Sequence, residues 1–474
     1  MKNSLVKNYI YDMSYRLVLI IVPLILTPYT ARVVGAKGLG IYGFTSSIIT
    51  LLCVFAELGT ATYTVNLISK SRNDMDKLSF LYSEFRYFRC ATVLFCYFIL
   101  SIFLIIYKKY EIAFLINSFV LFADFFDISW FLEGNEDFRI LSLRNIFIKL
   151  LTTILIFIFV RSPRDIFLYI GILSISNVIG NISVLIKKGM PLKKFNTCNI
   201  KRHVRPMFFY SLPQFAVYIN AVLDKALLGF LVSDTSLVAF YSQPERVIQI
   251  GQSILSSLGY VLFPRISLLI GENKKKEAEE LIYRVCFVIG LIAIPMVIGL
   301  IGTSDIFIPV FLGEGYNRCI LILIFFAPII FIQGIRAVVC TPLFIPFGLG
   351  NKYNLSVLIS AVMNIVLDIA LIPFFQEKGA VVATIMSELF TLCIQFIFLR
   401  KHISVYKVLK NSCRYTWGYF FLIMNLILLR QFVRCNVMGL IILIISSIFV
   451  YFLAIVIFYR KDCFVIINSY KKRK

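Results

Sequence analysis

Residues 8–40, NYIYDMSYRLVLIIVPLILTPYTARVVGAKGLG, constrain the fold most. From Leu17 to Val34 the stretch is nearly all apolar. As a helix it runs about 27 Å at 1.5 Å per residue, close to the roughly 30 Å of a hydrocarbon layer. A charged side chain at such depth costs on the order of 2.5–3.5 kcal/mol unless it faces protein or water, which makes Arg16 a site candidate. Pro23 and Pro28 each remove a backbone donor, tolerated where neighbours or a wet cavity satisfy the freed carbonyls, so the helix is expected to line a cavity. Gly35, Gly38 and Gly40 predict a tight turn into a second apolar segment. No small-residue cleavage site follows a short apolar core, and the stretch reads as a retained first span.

Similar runs recur along the chain, near 10–34, 40–68, 79–106, 111–132, 140–160 and 165–186. After a basic connector at 187–205 they resume near 206–232, 236–270, 281–304, 318–347, 354–375 and 378–400. A second connector at 400–414 leads to runs near 415–430 and 436–459. The fold class is therefore an all-α polytopic membrane protein of about 14 transmembrane helices. With 59% hydrophobic and 15% charged residues the chain departs from soluble proteins, which sit near 45–50% and 25%. Two blocks of six suggest parallel repeats. The expected domains are an N-terminal lobe 1–186, the connector 187–205, a C-terminal lobe 206–400, and two extra helices with a basic tail, 401–474.

The net charge of +23 sits in short runs between apolar segments, the positive-inside pattern and not a nucleic-acid footprint. Lys and Arg concentrate in 187–205, 400–414, 460–474 and the other loops on the same side, which places both termini in the cytoplasm. The eleven Cys are scattered without a CxxC pair and read as small buried hydrophobes. The only His, His203 and His402, lie in basic loops, so metal sites and His-based catalysis lack material and no cofactor is expected.

Ionisable residues inside the spans are Arg16, Glu57, Arg86, Arg89, Asp124, Asp127, Lys149, Asp224, Lys225, Glu245, Arg246, Arg336, Asp368 and Glu388. Such groups are retained where they pair, line an aqueous path or bind a charged substrate. Asp224 with Lys225, or Glu245 with Arg246, could neutralise one another and lock the fold. Taken as a set, the cations Arg16, Lys225 and Arg246 describe a positive cavity, which suits an anionic head group; an exporter of cationic amphiphiles would need the opposite sign. Among the interleaved polar and aromatic residues, Gln214, Tyr218, Asn220 and Gln249 are candidates for glycan contact. In the loop 125–139, Trp130 is expected at an interface, with Glu133, Glu136 and Asp137 solvated or paired with Arg139 and Arg144.

The segments PLILTPYTARVVGAKGLGIYGF (23–44), ELG (57–59), FFDISWFLEGNEDF (125–138), FYSLPQF (209–215), LVAFYSQPERVIQI (237–250), LFPRIS (262–267) and the region from Asn364 to Glu388 together resemble Wzx-type polysaccharide flippases. These belong to the multidrug/oligosaccharidyl-lipid/polysaccharide exporter superfamily. The resemblance implies two six-helix lobes around a central cavity, MATE-like, and two additional C-terminal helices. It also implies translocation of undecaprenyl-diphosphate-linked oligosaccharide units across the cytoplasmic membrane. Cavity cations would receive the diphosphate-sugar head group; that role is carried to Arg16, Lys225, Arg246 and Arg336. The family often has an uncharged polar residue, commonly Gln, where this chain has Arg16.

Alternating access is the expected mechanism. Glu57, Asp224 and Glu245 are candidates for coupling to H⁺ or Na⁺, because an acid freed from its partner can change protonation or bind a cation. Expected partners are the lipid-linked oligosaccharide, membrane lipids, a polysaccharide polymerase and chain-length or export proteins. Two readings compete: a cation-coupled multidrug antiporter of the same fold, and a membrane enzyme, which would show a sizeable outer loop or an intramembrane His.

Overall fold

In lipid every backbone polar group needs an internal partner, so long apolar runs close into helices. The computed structural model describes residues 2–57, 59–193 and 197–460; the side chains of 2–12, 16, 197–201 and 212–214 lie outside that description. Among the described residues every regular element is helical. The chain forms two compact units, residues 1–239 with 361–380, and residues 240–360 with 381–474.

The first unit is built from α1 (Lys2–Val33), α2 (Gly35–Glu57), α3 (Thr60–Ser71), α4 (Met75–Ile106), α5 (Glu111–Asn117), α6 (Phe119–Ala123), α7 (Ser129–Gly134), α8 (Phe138–Phe159), α9 (Ile166–Lys188) and α10 (Thr197–Leu231). Helix α1 runs through Pro23 and Pro28 unbroken and packs on α8. Helix α2 packs on α4 and α10. The first unit thus runs past the connector 187–205, with Gly229 of α10 set against Phe44 of α2.

Only Gly35, at φ 76°, makes the turn expected of the three glycines. Gly40 lies inside α2, where a Cβ would sit 1.8 Å from the Thr235 carbonyl oxygen, and Gly229 of α10 would meet the Phe44 ring at 1.9 Å. Close backbone approach is what these positions need. Gly40→Ala is expected to cost about 1–3 kcal/mol through overpacking, read as a lower midpoint of thermal unfolding in detergent.

The run read as one span at 111–132 breaks into α5, α6 and α7. Asp127 accepts from its own Ser129 N at 3.1 Å and Oγ at 2.6 Å, a local turn that competes with helix. Trp130 is 2% exposed and packs among Tyr82, Phe85 and Phe131, so it is a core residue and not the interfacial anchor expected. Glu136 pairs with Arg72 at 3.1 Å and Asp137 with Lys188 at 3.3 Å, partners the sequence did not suggest. Asn117 ties three helices together, donating to Thr45 Oγ1 at 3.3 Å and accepting from Ser174 Oγ at 3.3 Å.

The second unit holds α11 (Ser236–Gly271, which begins in the first unit), α12 (Lys275–Leu312), α13 (Arg318–Phe326), α14 (Pro328–Ile335), a π-helical turn (Arg336–Cys340) and α15 (Thr341–Phe344). It continues with α16 (Gly350–Phe375), α17 (Glu377–Leu399), α18 (Val405–Ser412), α19 (Thr416–Arg430) and α20 (Val437–Phe458). Helix α16 passes into the first unit at Ala361, and α17 leaves it after Ala380. Helix α12 carries α18 and α19, with Gly290 close to the Ser412 carbonyl and Tyr419 Oη donating to Gly290 O at 3.0 Å. Helices α19 and α20 form a packed pair, and Arg430 is held to Asp305 at 2.6 Å.

Among the described residues eleven helices are long and apolar enough to cross a membrane, or twelve with α10, which bends by 58° around 212–214, where the sequence has Pro213. Glu111–Ala123 and Thr416–Arg430 are shorter apolar helices.

Candidate functional site

Within the first unit, α10 presents two different faces. Asn220 and Asp224, one turn apart, point inward: Asp224 is 1% exposed and Asn220 Oδ1 is buried without a donor. Tyr218 and Lys225, two turns apart, are on the open side; Lys225 Nζ donates to Ala221 O at 3.2 Å.

Asp224 faces the carboxyl of Asp368 on α16 at hydrogen-bonding range. Asp368 is 0% exposed, and no N–H or O–H among the described groups donates to either of its oxygens. Asn364, one turn earlier on α16 and 1% exposed, has neither its Oδ1 nor its Nδ2 partnered. Two facing carboxylates at this depth are costly when both are ionised, so the pair is stable when it shares a proton or holds a small cation. Sequence reasoning noted Asp368 as intramembrane but did not connect it to Asp224. The signal available was Asn364 and Asp368 at i, i+4 on an otherwise apolar helix.

A second charged cluster centres on Arg89 of α4, 2% exposed. Its Nη2 lies 3.4 Å from Glu57 Oε1, 3.5 Å from Asp124 Oδ1 and 3.3 Å from Asp127 Oδ2. The neighbouring Arg86 donates to the Phe125 carbonyl, and Arg144 Nη2 reaches Ser129 Oγ at 3.5 Å. Glu57, expected as a coupling acid, is thus held by a buried cation.

In the second unit Arg246 of α11 is half-buried and carries no ion pair among the described residues. One turn on, Gln249 Nε2 donates to Glu245 Oε1 at 3.1 Å, so these two engage each other. Arg336, on the π-helical turn, is bound by Glu388 of α17, and its Nε has no acceptor. Its charge is spent within the protein, unlike that of Arg246. The side chains of Arg16 and Gln214 lie outside the described residues.

The polysaccharide biosynthesis protein family matches residues 5–270, more than half of the chain. The chain belongs to this family. A relative named as an O-antigen transporter in Escherichia coli (strain K12) is 23% identical over 408 residues, covering 85% of this chain and 98% of its own length. Among solved structures, the lipid II flippase MurJ in an inward closed conformation matches with a TM-score of 0.73 at 20% identity, over 97% of this chain and 100% of that one. An inward-facing multidrug resistance MATE family transporter of the MOP superfamily matches with a TM-score of 0.60 at 14% identity, over 82% and 94%. The resemblance to Wzx-type flippases and the polytopic MATE-like fold expected from the sequence are both borne out.

Proposed function

We propose that this protein is a flippase that moves a polyprenyl-diphosphate-linked oligosaccharide, of the undecaprenyl class, from the cytoplasmic to the outer leaflet of the cytoplasmic membrane by alternating access. The observation that carries the reading is the family match over residues 5–270, which joins the membrane-spanning fold to polysaccharide biosynthesis. The intramembrane cations support it: Arg246 and Lys225, one in each unit, are suited to a diphosphate, Arg by bidentate hydrogen bonds and Lys as a point charge. Arg16 adds a third cation on sequence grounds, and Arg336 joins only if Glu388 releases it. Tyr218, Asn220, Gln249 and Gln214 supply amide and hydroxyl groups for sugar contact.

In this reading the fourteen apolar segments all cross the membrane, both termini are cytoplasmic, and the two six-helix lobes meet at the connector 187–205. The product would pass to a polysaccharide polymerase and chain-length or export proteins. No catalytic step is assigned. The test is lectin access to the sugar in sealed vesicles holding the purified chain and a polyprenyl-diphosphate oligosaccharide. The MATE-like fold favours one second reading, a cation-coupled multidrug antiporter, which the same vesicles separate by movement of a cationic dye.

Coupling to H⁺ or Na⁺ is assigned to Asp224 and Asp368 with Asn364, rather than to Glu57 or Glu245, whose carboxylates are engaged by Arg89 and Gln249. Asp368→Asn is expected to abolish the response of translocation to an imposed H⁺ or Na⁺ gradient, leaving a gradient-insensitive rate about tenfold lower. A variant that still responds as the intact protein does would remove the assignment.

A further inference from the structure

Helix α16 carries more polar residues than its role in packing requires. Ser356, Ser360, Asn364 and Asp368 recur at every fourth position, a spacing that keeps side chains on one slowly winding helix face. All four are 1% exposed or less, whereas Val362 and Val366 between them are each 59% exposed. The line runs roughly 18 Å along the axis, in steps of about 6 Å.

In the second unit the first half of this line meets α17. Gln395 Nε2 donates to Ser356 Oγ at 3.1 Å, and Ser360 Oγ donates to the Ser387 carbonyl at 3.2 Å. Gln395 is 0% exposed, yet its Oε1 accepts from no group. Small hydroxyl residues alone would fit close packing of two helices in lipid. A buried glutamine with an idle oxygen does not, because an unpaired amide in apolar surroundings costs free energy. What the line supplies is a succession of oxygen atoms: hydroxyls that both donate and accept, and carboxamide oxygens that accept. Of the cations near it, Arg336 is neutralised by Glu388, the residue after Ser387, and Lys352, one turn before Ser356 on α16, lies over the Phe398 ring at 5.7 Å.

We propose that this polar line on α16, completed by Ser387 and Gln395 of α17, is the route by which the coupling cation, H⁺ or Na⁺, passes between Asp368 and the end of α16 nearest residues 345–350. The route rests on the reading that Asp224 and Asp368 take the coupling ion. Its inner end is the side read as cytoplasmic. A hydroxyl row relays protons and its oxygens can replace part of the hydration shell of Na⁺.

The test uses the full chain in sealed vesicles with either a Na⁺ gradient at symmetrical pH or a pH gradient without Na⁺; the active arm names the ion. Ser360→Leu, which fills the line with an apolar side chain, is expected to slow cation flux and gradient-driven sugar exposure about tenfold, while Ser360→Thr, which keeps the hydroxyl, stays within about twofold. Ion binding, read as stabilisation against thermal unfolding by Na⁺ or by a change of pH, is retained in Ser360→Leu and lost in Asp368→Asn. If Asp368→Asn still binds and couples the ion, the ion-site reading falls and the route with it. If Asp368→Asn fails as expected but Ser360→Leu conducts at the intact rate, the route alone falls.

A second measurement does not need the leucine variant to fold. Ser356→Cys is expected to react with a small cationic methanethiosulfonate at least about tenfold faster than Val357→Cys, the neighbouring apolar position on α16, itself 3% exposed. Equal rates, each corrected for the parent protein, would show a dry seam and overturn the route.

Discussion

Lys225→Ala combined with Arg246→Ala is expected to reduce translocation of lipid-linked oligosaccharide by roughly 100-fold or more. A hydrogen bond to a charged group contributes about 1.5–3 kcal/mol, so losing one cation in each unit removes at least about 3 kcal/mol, and each 1.36 kcal/mol is tenfold in rate. Arg246→Lys keeps the charge but loses the fork that grips phosphate oxygens, and an intermediate loss is expected. Lys275→Ala, at the start of α12 outside the spans' apolar core, should leave the rate unchanged. The rate of sugar exposure in vesicles, with gel filtration to establish folding, measures all three. Unchanged translocation in the double variant would remove these residues from the head-group site.

Arg89→Ala is expected to be the most destabilising single substitution in the first unit. It leaves Glu57, Asp124 and Asp127, now 3.3–3.5 Å from one guanidinium nitrogen, without a cation. Breaking a buried pair from one side costs about 3–5 kcal/mol, and here three acids share one partner. The expected outcome is little folded protein after detergent extraction. Glu57→Gln, Asp124→Asn and Asp127→Asn added to Arg89→Met should restore much of the yield, because removing a buried network whole is often close to neutral. Failure of that rescue would mean that Arg89 is needed for more than charge balance.

Much of the fold was legible because the bilayer permits so few solutions: runs such as 79–106, 281–304 and 436–459 had to be helices, and they are α4, α12 and α20. What was less legible depended on contacts distant in sequence. Nothing local distinguishes Gly40, a packing residue, from Gly35, a turn residue; the difference lies in Thr235, almost two hundred positions away. Trp130 reads as an anchor until Tyr82 and Phe85 are seen around it. The break of the 111–132 run follows from Asp127 accepting from Ser129 N and Oγ, a choice that the neighbouring apolar residues hide.

At the candidate site, residue types were easier to read than partners. Asp224 stood out as an intramembrane acid, but a neighbour in sequence, Lys225, was the obvious counter-charge. Helical geometry instead turns Asp224 toward Asp368 while Lys225 points elsewhere. Arg336 was read as a substrate ligand from the family resemblance, and only the approach of α17 reveals Glu388 beside it.

The most direct measurement of the account is the time course of lectin binding to oligosaccharide on the outer face of sealed vesicles that contain only the purified chain, phospholipid and a polyprenyl-diphosphate oligosaccharide loaded on the inner leaflet. The account predicts that the sugar reaches the outer face faster than in protein-free vesicles, and that the Lys225→Ala, Arg246→Ala protein does not exceed the protein-free rate. Sugar exposure at the protein-free rate by the intact chain, in vesicles that move a cationic dye, would contradict it and make the antiporter the function.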